Sequence, residues 1–135
     1  MSEKSVEIVR RAIEAFNRRD ISALVAATTD DFEWITLTGG TIDSAVYRGA
    51  AGIAAYFRDT ATVWESMRIE PKEFRDLSAK TMLVVSVLHA RGMGSGVEVE
   101  ADLYGLFRVR EHKLAAFRSF GTEHEALEAA ALSQK

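Results

Sequence analysis

Apolar side chains at Val6, Val9, Ile13 and Phe16 recur at intervals of three and four, with Ala12 beside them and Glu7, Arg10, Arg11 and Glu14 on the opposite side. That period predicts an amphipathic helix. The run Asn17-Arg-Arg-Asp20 breaks it, and Asp20 is a good N-cap for a short second helix through Leu24, Val25 and Ala27, ending near residues 28–31. Phe32 to Thr38 is β-branched or aromatic at most positions and is followed by Gly39-Gly40, which predicts a strand and then a loop. Tyr47-Arg48-Gly49 leads into a third helix, with Ile53, Tyr56, Phe57, Thr60 and Val63 or Trp64 at helical spacing, and Pro71 bars its continuation.

The second half changes period. A weak strand is expected from Arg68 to Phe74, a strong one from Lys80 to Arg91, and the clearest from Val97 to Arg110. In the last, Val97, Val99, Ala101, Leu103, Gly105, Phe107 and Val109 alternate with Glu98, Glu100, Asp102, Tyr104, Leu106, Arg108 and Arg110. Such alternation sets one face on a core and the other toward water or a second subunit. Glu111-His112-Lys113 reads as a hairpin turn into a final strand, Leu114 to Phe120. Thr122-Glu-His-Glu125 is a capping box for a closing helix through Leu127 and Leu132. Helices first and strands afterwards predict an α+β fold, with helices on one face of a curved antiparallel sheet and a concave mouth between the layers.

Length and composition narrow the classes. The chain of 135 residues, 47% hydrophobic and 27% charged, is the size of one domain spanning 1–135. It has no cysteine, which excludes disulfides, thiolate metal sites and cysteine nucleophiles, and a disulfide-free chain suits a reducing cytoplasm. The start shows no basic segment followed by an apolar run, so no secretory signal is expected. Seventeen basic and twenty acidic residues are interspersed, with a net charge of −3 and no basic stripe, so nucleic acid is not an expected partner. No apolar run is long enough to span a bilayer.

The segments Val6 to Asp20, Thr29-Asp-Asp-Phe-Glu-Trp34, Tyr47-Arg-Gly49, Gly92-Met-Gly-Ser-Gly96 and Glu123-His-Glu-Ala-Leu127, in this order and spacing, resemble the SnoaL-like branch of the nuclear transport factor 2-like superfamily. The resemblance implies a cone-shaped α+β barrel, a curved sheet wrapped around N-terminal helices with an internal pocket, usually in a homodimer. It leaves the chemistry open, because the superfamily hosts isomerases, polyketide cyclases, epoxide hydrolases, dehydratases and silent binding domains. The ketosteroid isomerase tyrosine, base and neutral acid fall on Ala12, near Thr36 and on Gly105, so that chemistry is not expected. The Asp-Arg-Asp set of limonene-epoxide-hydrolase-like enzymes is met only by His89-Ala90-Arg91, and the acid–base aspartate of SnoaL-type cyclases falls on the strand that carries Gly105.

Candidate site residues follow. His89 is the candidate base, with Arg91 and Val87 on its strand face, as an imidazole beside a guanidinium suits an enolate or carboxylate oxygen. Trp34 and Thr36 share one face of the first strand and offer an aromatic wall and a hydroxyl. Tyr56 offers a pocket hydroxyl, Phe107 an apolar lining, and Arg118 with Phe120 closes the pocket. Asp43 lies in the loop after the first strand. Glu98, Glu100 and Asp102 align without a histidine and read as a charge ladder, so no metal is expected. Gly92 to Gly96 precedes a strand instead of a helix and reads as turn glycines. His112 in its turn and His124 on the closing helix read as surface residues. The reading is a cofactor-free pocket protein for a small hydrophobic or carboxylate-bearing molecule, acting as an acid–base cyclase, isomerase or hydrolase around His89. The alternative is a non-catalytic ligand-binding or dimeric interaction domain.

Overall fold

The computed structural model describes residues 3–36 and 45–133; Thr38, Gly39, Gly40 and Asp43 lie outside the described residues. The chain runs α1 (Glu3–Asn17), α2 (Ile21–Ala26), β1 (Thr28–Thr36), β2 (Ala45–Arg48), α3 (Gly49–Thr60), β3 (Trp64–Asp76), β4 (Thr81–Gly92), β5 (Glu98–Arg110), β6 (Lys113–Phe120) and α4 (Glu123–Ser133). Local chemistry sets the joints. The Asp20 carboxylate accepts from the Ala23 N–H at 3.0 Å and starts α2. Glu111 and His112 both take positive φ, 52° and 65°, the pairing that closes a two-residue hairpin. At α4 the Thr122 hydroxyl accepts from the Glu125 N–H at 3.2 Å and donates to the Glu125 carboxylate at 3.0 Å, so the capping box forms as expected.

The six strands form one mixed sheet in the order β2-β1-β6-β5-β4-β3. Every neighbouring pair is antiparallel except β1 with β6, which is parallel. β2 and β3 are edges, so the sheet is curved and open and does not close into the barrel expected from the resemblance. Pro71 falls in edge strand β3, beside a register irregularity between Pro71 and Glu73, where the missing N–H costs no ladder bond. The outward side of that edge is held by α1. Asn17 Nδ2 donates to the Ile69 carbonyl at 2.9 Å and the Ile69 N–H donates to Asn17 Oδ1 at 2.8 Å.

Helices α1 and α3 cover the inner face of the sheet. Val9, Ala12, Ile13 and Phe16 from α1 and Ile53 and Tyr56 from α3 join Phe32, Trp34, Ile69, Met82, Val84, Phe107, Leu114 and Phe117 in the main core. A second cluster lies on the outer face, where Ala126 and Ala130 of α4 cover Leu83, Leu106 and Phe120. The outer face is therefore neither wholly wet nor free along its length. The alternation read along β5 is buried only in its second half, and residues 98–102 are exposed on both faces.

Candidate functional site

Strand alternation decides what reaches the interior. Trp34 and Phe117 are register partners, as are Phe107 and Phe117 and then Met82 and Phe107, so these four side chains form one row across the inner face. Phe107 and Phe117 stand 4.7 Å apart, and Phe117 meets Trp34 edge-on at 6.1 Å. From α3, Tyr56 stacks on Trp34 with ring centroids 3.8 Å apart and planes at 23°. Phe16 of α1 packs edge-on to the Trp34 ring at 5.9 Å. Apolar and aromatic residues at helical and alternate spacing thus meet as one aromatic layer.

Among the described residues, one fully buried polar atom of this layer has no partner. Trp34 is only 5% exposed, and its indole Nε1–H finds no hydrogen-bond acceptor. A buried donor left unpaired costs about 1–3 kcal/mol, so its retention calls for an explanation. Burial also pushes the Tyr56 phenol well above its ordinary pKa and keeps it a neutral O–H donor. Tyr47, opposite Trp34 on β2, donates its hydroxyl to Asp59 at 3.0 Å. Ala12, Ile13, Phe16, Trp34, Phe107 and Phe117 line a void of about 40 Å³ on one side of the layer. Phe16, Arg19, Tyr56, Phe57, Thr60 and Met67 line a second void of about 10 Å³.

The next inner row is polar and small. The parallel register Ile35↔Arg118 carries Thr36 alongside Ser119, and Ser119 pairs with Gly105, which pairs with Val84. Ser119 is 8% exposed and Ser86, two residues along β4 from Val84, is 3% exposed. A Cβ at Gly105 would stand 2.8 Å from Phe117 Cε1 and 3.0 Å from Phe107 Cε1. The two rings thus occupy the place where the resemblance puts an acid.

The remaining candidates lie on the outer face. Met82 and Val84 belong to the main core and Leu83 to the cluster under α4, so Val85, Val87, His89 and Arg91 share the outer face with Leu83. His89 Nε2 is 2.9 Å from Glu70 Oε1 on the edge strand, and Nδ1 is 3.7 Å from Glu100 Oε2. The hydrogen bond with His89, then that from Lys72, holds the Glu70 carboxyl at about 2, so an ionised acceptor faces Nε2. Arg91 is tied to Glu98 at 2.9 Å and lies 3.8 Å from Glu65. His89 and Arg91 line an open groove of about 720 Å³ with Arg68, Glu98 and Glu100. A second open groove of about 760 Å³ holds Arg48, Lys80, Arg108 and Arg110, two of them paired with Glu33 and Asp31. Arg118 is exposed and lies over the Phe120 ring at 5.0 Å, with Phe120 itself under α4. The structure therefore brings Trp34, Thr36, Tyr56 and Phe107 together inside and sets Val87, His89, Arg91, Arg118 and Phe120 on the opposite side of the sheet.

Sequence reading missed Ser86 and Ser119. Their signal is a single hydroxyl inside an otherwise apolar run, Met82 to Leu88, and one that follows the inward Phe117 by two positions. Among the described residues no group of three or more metal-ligating side chains is placed to hold an ion, and no helix is long and apolar enough to cross a membrane. Chemically, among the described residues, the inner face offers hydrogen-bond donors against apolar walls and no carboxylate or imidazole.

Comparison with known proteins agrees with this architecture. An NTF2-like protein of unknown function from Burkholderia pseudomallei K96243 superposes with a TM-score of 0.79 at 23% identity, over 95% of this chain and 97% of that one. TerC, co-crystallised with polyporic acid, gives a TM-score of 0.79 at 20% identity over 93% and 97%. The epoxide hydrolase/cyclase-like enzyme SalBIII, of pyran ring formation in salinomycin, gives 0.73 at 21% identity over 90% and 93%. At these identities the likeness is one of fold. No curated protein matches the chain. The model of the SnoaL-like domain matches residues 9–117, most of the chain, with β1 to β5 whole and β6 as far as Phe117, and the protein belongs to the SnoaL-like domain family.

Proposed function

We propose that the protein binds a small, mainly apolar molecule between the inner sheet face and helices α1 and α3, with the Trp34 N–H and the Tyr56 hydroxyl as its donors. The unpaired Trp34 Nε1 carries this reading. The outer grooves have larger volumes, but their central charged groups already satisfy one another, as in Arg91 with Glu98 and His89 with Glu70. The interior donor is the group with an unmet demand. The 40 Å³ void takes only one or two waters' worth of atoms. A ring-sized ligand enters by displacing Phe57 and Met67, the half-buried residues beside Tyr56. Fold neighbours bound to small molecules, TerC with polyporic acid among them, support such a use of this fold.

His89 as a base does not fit this site, because both its nitrogens face carboxylates across the sheet. The ligand therefore meets two donors and no general base of this strand. The test is a thermal-shift series with small cyclic ketones and phenols, run on the wild type and on Trp34→Phe. A bound ligand raises Tm with the logarithm of its saturation. We expect a shift that the variant loses; a shift equal in both proteins, or none, sinks the reading.

In the same reading two copies pair through the outer sheet face in the cytoplasm, where a cysteine-free chain is at home. β5 carries Glu98, Glu100 and Asp102 at one end and Arg108 and Arg110 at the other, so a two-fold axis across the strand sets acid against base. Light scattering should return about twice the 14.9 kDa of one chain, and a concentration-independent 14.9 kDa refutes the pairing.

A further inference from the structure

The polar row beside the aromatic layer identifies the class of ligand more narrowly. Of the buried serines and threonines among the described residues, Thr28, 4% exposed, donates to the Val25 carbonyl at 3.0 Å, and Thr81 stands on the outer face opposite Arg108. Ser86, 3% exposed, and Ser119, 8% exposed, make no side-chain hydrogen bond among the described residues, and their oxygens, unlike Trp34 Nε1, are not wholly shut off from the surface. They lie diagonally across β5, Ser86 opposite Leu103 and Ser119 opposite Gly105, on the face that also presents Thr36 and Trp34. Glycine at 105 leaves this stretch of β5 without a side chain, and the Phe107 and Phe117 rings lean over it. A hydroxyl can accept or donate, so the pair suits a carbonyl, an ether or another hydroxyl.

Charge is what the row lacks. The inner positions from Val84 to Leu88 and from Leu103 to Phe107 are apolar, glycine or serine, and Arg68, Arg91, Arg108, Arg110 and Arg118 stand on the sheet's other face; on the helix side Arg10 lies over the Phe74 ring at 4.9 Å and Arg19 donates to the Glu65 carbonyl. An ionised carboxylate moved in beside Ser86 and Ser119 loses its hydration, and the cations on this side, Arg10 and Arg19, are exposed at the rim and engaged with other partners. Building on the binding site proposed above, we infer that Ser86 and Ser119 are specificity-determining contacts that select a neutral, oxygen-bearing ligand and reject carboxylates. The sequence alone admitted both a hydrophobic and a carboxylate-bearing ligand; the placement of the arginines separates them.

The experiment is calorimetric titration of the folded chain with a matched pair of probes, acetophenone and benzoate, repeated on Ser86→Ala and Ser119→Ala, with the Tm of each variant as a check on folding. We expect acetophenone to bind at least tenfold more tightly than benzoate. Loss of one neutral hydrogen bond should weaken acetophenone by roughly threefold to tenfold in one or both alanine variants, with benzoate unchanged. Equal affinity for the two probes in the wild type, or acetophenone binding untouched by both substitutions, overturns the inference and leaves the binding site itself standing. Failure of the wild type to bind either probe overturns the binding site and the inference with it.

Discussion

Gly105 shows how one position sets the character of the interior. On the resemblance it occupies the place of a catalytic acid, and here a Cβ would press within 3.0 Å of both Phe107 and Phe117. Those rings are themselves packed 4.7 Å apart and against Trp34, so neither gives way easily. Gly105→Ala should therefore destabilise the fold by roughly 1–3 kcal/mol, as overpacked cores do, despite alanine's advantage in the unfolded chain. Chemical denaturation measures it, and an unchanged or raised stability contradicts this packing account. The His89 placement carries the opposite lesson about single residues. Sequence alternation correctly grouped His89 with Val85, Val87 and Arg91, but it cannot say which group faces the helices. Met82 and Leu83 are both fully buried, one beneath α1 and α3 and the other beneath α4, so the phase of the strand is hidden exactly where the pattern is most apolar.

At the scale of elements, the sheet's long edge is the vulnerable part. β3 runs thirteen residues and has a neighbour on one side only. Asn17 meets the free N–H and C=O of Ile69, and Arg19 donates to the Glu65 carbonyl at 3.0 Å, so the end of α1 blocks the edge against a foreign strand. Asn17→Ala should cost about 1–3 kcal/mol through two lost hydrogen bonds in a half-buried place. It should also speed amide exchange at Ile69 ahead of the sheet centre; protection at Ile69 equal to the wild type would show that the clamp contributes nothing. α1, α3 and β4 to β6 were legible because their periods extend over eight residues or more, and α2 and α4 because Asp20 and the Thr122–Glu125 box mark their starts. The remaining boundaries moved for local reasons. β1 begins at Thr28 instead of Phe32, since Thr28 and Thr29 read as loop until pairing with β6 recruits them. β2, only Ala45–Arg48, is too short to show alternation. β3 begins at Trp64, not Arg68, because α3 ends at Thr60 and its apolar spacing does not carry on to Val63 and Trp64.

For the whole molecule, the division of polarity between the two faces is the organising fact. α1 and α3 seal an inner face of aromatic rings and unengaged hydroxyls, while the outer face carries ion pairs and, at one end, α4. The α+β class and the helix-on-sheet layering follow from the order of periods along the chain. The parallel β1–β6 pair and the open edges do not, because they depend on strands far apart in sequence. The central claim is that a ligand reaches Trp34. Its indole N–H resonance can be followed by ¹H–¹⁵N NMR beside that of the only other tryptophan, Trp64, with Trp64→Phe assigning the two. On titration with acetophenone the Trp34 signal should move downfield as Nε1–H gains an acceptor, with Trp64 nearly still. A titration in which Trp34 stays fixed while resonances of the His89 and Arg91 face respond would place the site on the outside of the sheet and contradict the account.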